Sequence, residues 1–86
     1  MFKNIPEITR FYGIVIKMFF GDNSSPHLHA IYGEYNALIA IDSLEIIEGD
    51  LPKRAEKMVI EWASQYQSEL LKIWQTQEFI KLPPLK

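Results

Sequence analysis

The stretch His27-Leu28-His29-Ala30-Ile31-Tyr32-Gly33-Glu34-Tyr35-Asn36-Ala37-Leu38-Ile39-Ala40-Ile41 decides the fold. Two runs rich in apolar and aromatic residues flank Gly33-Glu34, the length and punctuation of a β-hairpin with a two-residue turn. A two-residue turn fixes the register. Tyr32 then faces Tyr35, Ala30 faces Ala37 and Leu28 faces Ile39, so these six side chains form one apolar face. His27, His29, Ile31, Asn36, Leu38 and Ala40 fall on the opposite, mixed face, and the two imidazoles share it.

Working outward, Phe11 to Phe20 is nearly continuous in its apolarity and stopped by Gly21-Asp22-Asn23, which predicts one central strand. Its charge, Lys17, shares a face with Val15 and Phe19. On the other side, Asp42-Ser43 predicts a turn and Leu44 to Glu48 a short returning strand that ends at Gly49-Asp50. From Pro52 the period changes. Ala55, Met58, Val59, Trp62, Ala63, Tyr66, Leu70, Ile73 and Trp74 recur every three or four residues, an amphipathic helix over 52–77 with Pro52 in its first turn and Asp50 or Leu51 as cap. The expected class is α+β: an antiparallel sheet of about four strands in two consecutive hairpins, with one long C-terminal helix packed on one face. The sheet spans about 8–48, and Pro83-Pro84 keep the tail 78–86 irregular. A straight helix over 52–77 is about 39 Å long, whereas a domain of this size is only about 31 Å across. The helix therefore bends near 64–67 or overhangs to meet a partner.

The 86 residues are expected to form a single domain, 1–86, and 48% hydrophobic with 13% aromatic residues is the composition of a folded chain. There is no cysteine, which excludes disulfides, thiolate metal sites and cysteine nucleophiles. Eleven acidic against nine basic side chains give a formal charge of −2, which disfavours binding to a nucleic-acid backbone. Lys53, Arg54 and Lys57, and likewise Lys3, Arg10 and Lys17, are read as solvated surface, and Asp42, Glu45, Glu48 and Asp50 as protection of a sheet edge. With no signal-peptide pattern and no apolar run of membrane-spanning length, a soluble, cytoplasmic protein is expected.

Chemistry concentrates on His27 and His29, the chain's two histidines. One ring can take a proton while the other gives one, with Asp22, Glu34, Arg10 or Tyr12 as orienting or charge-stabilising partners, as in a metal-independent ribonuclease. Gly21, His27, His29 and Glu34 also resemble the first metal motif of cupins, although no third histidine follows. Two histidines and a carboxylate can hold zinc or iron(II), so His27, His29 and Glu34 are the candidate ligands. The primary expectation is that there is no cofactor. The helix stripe Trp62, Tyr66 and Trp74 is read as core, or else as a groove for a partner.

Four ordered motifs carry a family resemblance: Arg10-Phe11-Tyr12-Gly13-Ile14-Val15-Ile16; Pro26-His27-Leu28-His29-Ala30 followed by Tyr32; Glu48-Gly49 followed by Leu51-Pro52; and Glu61-Trp62-Ala63 with Glu69-Leu70-Leu71 and Trp74. Over about residues 8–75 the chain resembles a bacterial family of domains of unknown function, DUF4160. Members typically read Pro-Pro-His-Phe-His, and this chain departs at Ser25 and Leu28. The resemblance implies a short cytoplasmic protein encoded beside a second small protein, an arrangement like a toxin–antitoxin module. The expected function is therefore protein–protein contact, with that neighbour or in a homodimer, and the alternative is a small hydrolase or ribonuclease-like effector using His27 and His29.

Overall fold

A computed structural model describes residues 7–19 and 25–86. Five strands, β1 (Glu7–Phe11), β2 (Ile14–Lys17), β3 (His27–Tyr32), β4 (Tyr35–Ala40) and β5 (Ile46–Gly49), form one antiparallel sheet in sequence order. Two helices follow, α1 (Lys53–Gln65) and α2 (Gln67–Thr76). The class is α+β as expected, with one strand and one helix more than the sequence pattern suggested. The expected turn at residues 21–24 lies outside the described residues.

The β3–β4 hairpin has the predicted register, Tyr32↔Tyr35, Ala30↔Ala37 and Leu28↔Ile39. Gly33 has φ +58° and Glu34 does not have a positive φ, the pattern of a turn with glycine at its first central position. Alternation then sorts the side chains. Ile14, Ile16, Leu28, Ala30, Ala37 and Ile39 are buried and join Ala55, Val59, Trp62, Ala63, Leu70 and Ile73 of the helices in one core. Their strand neighbours Val15, Lys17, His29, Ile31 and Leu38 are half-buried on the other face.

The single strand expected over 11–20 is instead two. Tyr12 and Gly13, with φ +49° and +82°, make a two-residue turn between β1 and β2, positive φ at both positions being the hairpin geometry that matches strand twist. A turn of this kind usually announces itself by Asn-Gly, and Tyr-Gly inside an apolar run carries no such signal. The fifth strand begins at Ile46 and not at Leu44, because Leu44 sits at φ +60° and closes the turn with its N–H donating to the Ala40 carbonyl.

The expected helix over 52–77 is likewise divided. Tyr66, at φ −120° and ψ 23°, breaks it inside the 64–67 window. The longest extent of the structure is 31 Å, too short for the straight helix. The break lets α2 turn along the end of the sheet, where the Gln67 side-chain amide donates to the carbonyls of Ile41 and Asp42. α1 starts from Pro52, without the carboxylate cap expected at Asp50. The tail beyond α2 is irregular yet packed. The Leu82 N–H donates to the Ile8 carbonyl, the Trp62 indole donates to the Pro83 carbonyl, and Leu82 is buried, so this segment covers the outer edge of β1.

Candidate functional site

His27 and His29 stand on one face at the start of β3, their ring centroids 5.4 Å apart. The fold surrounds them unequally. His27 is 5% exposed and lies against Trp74 of α2 at 5.0 Å, whereas His29 is half-buried and meets Phe19 edge-on at 4.0 Å. Phe19, His29, His27 and Trp74 thus form a run of four rings along one end of the sheet. The His27 Nδ1 lies 2.8 Å from the Ser25 carbonyl. A carbonyl can only accept, so Nδ1 carries hydrogen and it is Nε2 that is left to face other partners.

His29 belongs to a row that crosses all five strands, Glu7↔Lys17↔His29↔Leu38↔Glu48. Directly opposed residues on adjacent strands have Cβ atoms about 5 Å apart, so Lys17 is the nearest cation by register. His29 also borders a shallow depression of about 270 Å³ with Asn36, Leu38, Glu48 and Gly49. Of the remaining predicted catalytic residues, Arg10 shares this face but its guanidinium is bidentate on Glu7, at 3.1 and 2.8 Å. Tyr12 is in the β1–β2 turn beside Tyr32, at the far end of β3, about 17 Å from His27 at the rise of a strand. Glu34 occupies the β3–β4 turn, five residues beyond His29. Among the described residues no three His, Asp or Glu side chains are grouped to hold a metal ion.

The Arg10 hydrogen bonds hold the Glu7 carboxyl below its ordinary value of 4.5; slight desolvation opposes them, and attraction to Arg10, Lys81 and Lys17 adds to the lowering. Glu7 in turn raises Arg10. A depressed carboxyl contributes stability that is present above its unfolded pKa and is lost as pH falls through the folded one. The Arg10→Gln variant is therefore expected to move the Glu7 titration, followed by NMR, up toward 4.5, and to erase a small stability increment that is present above that point and fades in the parent as pH falls below it. The pair is solvent-exposed, so the increment is small.

The model of a domain of unknown function, DUF4160, matches residues 13–75, from the β1–β2 turn through most of α2. The chain belongs to the DUF4160 family. The DUF4160 match takes in both histidines, their Trp74 neighbour and β5, and leaves Arg10, Tyr12 and the tail outside. No curated protein and no solved structure matches the chain. Among the described residues no helix is long and apolar enough to cross a membrane.

The helix stripe proposed for a partner groove faces inward. Trp62 has no exposed surface and packs between Phe11 and Tyr66, while Tyr66 and Trp74 are half-buried against the core. Two features escaped the sequence reading. Trp74 covers His27 from 47 positions along the chain, a contact for which no local signal exists. The second is the half-buried apolar strip formed by Val15, Ile31 and Leu38 on the face away from the helices, which continues to β5 and its 57% exposed Ile47.

Proposed function

We propose that this DUF4160 protein is the binding component of a small two-protein module of toxin–antitoxin type and acts through protein–protein contact. What supports the reading is the sheet. One face is sealed by α1 and α2, while the other presents Val15, Ile31 and Leu38 between the charges of Lys17 and Glu48. Among the described residues β5 pairs on one side only, and it carries Ile47 outward, so a partner strand can extend the sheet while its side chains cover the apolar strip. The partner is the product of the adjoining gene or a second copy of this chain.

The test is size-exclusion chromatography with light scattering on the chain alone and mixed with its neighbour's product. Complex formation is expected, together with at least a tenfold loss of affinity in Ile47→Lys, an exposed position whose substitution leaves the melting temperature unchanged within about 2 °C. A chain that stays monomeric and ignores the neighbour's product overturns the proposal.

The histidines favour a second reading, a hydrolase or ribonuclease-like effector. Rings 5.4 Å apart, with the Nδ1 of His27 held by a carbonyl and Lys17 opposite His29, can act as base and acid beside a cation that offsets developing negative charge. His29→Ala together with His27→Asn, which keeps a donor for Ser25, separates the readings. Loss of RNA cleavage or growth inhibition by about a hundredfold with partner affinity retained supports an effector. Unchanged cleavage or inhibition removes it.

A further inference from the structure

A second concavity lies at the end of the sheet away from the histidines. It has a volume of about 550 Å³, within the range of small-molecule sites, between the β1–β2 turn, the end of β3, α1 and the tail. Two phenols, Tyr12 and Tyr32, line it with Met58, and its charged groups are Arg54 and Lys86 with one carboxylate, Glu61. Among the described residues Arg54 has no ion-pair partner, since the ion pair formed there is that of Arg10 with Glu7.

Tyr12 gives the cleft its meaning. At φ +49° it occupies the left-handed region, which is unfavourable for a bulky side chain and natural for Asn or Gly. Two other residues share that conformation for reasons of the fold, Leu44 packing against the core and Gln77 capping α2. Tyr12 takes it as the first central residue of the β1–β2 turn, and its ring, edge-on to Phe11, is 61% exposed over the cleft. The turn itself favours Asn or Gly at this position, so its geometry does not call for the aromatic ring that Tyr12 sets over the cleft. Beside it Gly13 lets the Tyr32 ring approach, since a Cβ there would meet the ring at 3.3 Å.

We propose that this cleft binds a planar aromatic phosphate of the nucleoside monophosphate class. The phenols of Tyr12 and Tyr32 stack against the base, Arg54 and Lys86 take the phosphate, and Glu61 accepts an N–H from the base edge. The site is independent of the histidine pair and of the partner-binding face.

The test is NMR titration of the full chain with adenosine 5′-monophosphate, with adenosine and inorganic phosphate as separate arms. Saturable shifts of the Tyr12, Tyr32 and Arg54 amides are expected, with each arm alone binding at least tenfold more weakly. Arg54→Gln is expected to weaken the nucleotide roughly tenfold or more. Tyr12→Asn, which suits the left-handed backbone, is expected to melt a few degrees higher yet lose the binding. Absence of saturable shifts at these residues, or a folded Tyr12→Asn variant that binds as tightly as the parent, overturns the proposal.

Discussion

Gly49→Ala is expected to detach β5 from the sheet and lower stability by about 3 kcal/mol or more. Gly49 has φ +79°, and a Cβ built on it would lie 2.1 Å from the Asn36 carbonyl oxygen and 3.1 Å from the Ala37 Cα. Both are backbone atoms of β4 and cannot swing aside. The same carbonyl accepts the Asp50 N–H at 3.0 Å, so moving it breaks a hydrogen bond at the entry to α1. The left-handed conformation alone costs alanine about 1–2 kcal/mol, the lost hydrogen bond about 1 kcal/mol, and the overlap adds to both. A domain of this length is stable by about 4–13 kcal/mol, so the variant retains a core but a weakened edge. Hydrogen exchange should show protection lost across β4 and β5 and kept in β2 and β3. Gly33→Ala is the control. Its φ is +58° but its Cβ meets nothing within 4 Å, so only the conformational penalty applies. Because β5 carries Ile47, Gly49→Ala should also abolish partner binding without disturbing the rings of His27 and His29.

The contrast between these glycines reflects what the sequence discloses. Gly33-Glu34 sits between two runs of matched length, and period-2 alternation fixes every pair from Tyr32↔Tyr35 back to Leu28↔Ile39, so that hairpin and the shared face of the histidines are legible. Tyr12-Gly13 lies inside an apolar run and has tyrosine where the turn favours asparagine, so the first hairpin is hidden by the residue whose ring overlooks the second cleft. The helix break is foreshadowed by size, 39 Å of helix in about 31 Å of domain, but not by residue type, since Tyr66 fits the apolar stripe. The candidate site is half legible for the same reason. Strand parity places His27 beside His29, while Trp74 over His27, Arg10 on Glu7 and the distance of Tyr12 and Glu34 come from tertiary packing. Trp62 shows the ambiguity of an aromatic stripe. The spacing that suggests a groove is also the spacing of a core, and only the tail, closing over the indole, decides between them.

Trp62→Ala is expected to be the most damaging single substitution. The side chain has no exposed surface, lies 5.9 Å from the Phe11 ring and 5.5 Å from the Tyr66 ring, and donates its indole N–H to the Pro83 carbonyl at 2.7 Å. It therefore joins α1, the end of β1, the helix break and the tail in one contact set. Truncating a buried tryptophan costs about 3–5 kcal/mol, a large part of the available stability, and at about 4–8 °C per kcal/mol the melting temperature falls by some 12–40 °C. Calorimetry should show this loss, with cooperative unfolding abolished if the parent lies near the lower end of the stability range. Trp62→Phe separates packing from hydrogen bonding. It keeps most of the ring contact and loses the donor to Pro83, so it should lower stability by only about 1–2 kcal/mol. Its larger effect is local. With Pro83 released, the Leu82 N–H bond to Ile8 weakens, and limited proteolysis should cut the tail while α1 stays protected. The tail supplies Lys86 to the cleft of Tyr12 and Arg54, so nucleotide binding there should fall in Trp62→Phe, while the histidine pair at the other end of the sheet is unaffected. Equal protease resistance in parent and Trp62→Phe would mean that Leu82, rather than the indole, holds the tail against β1.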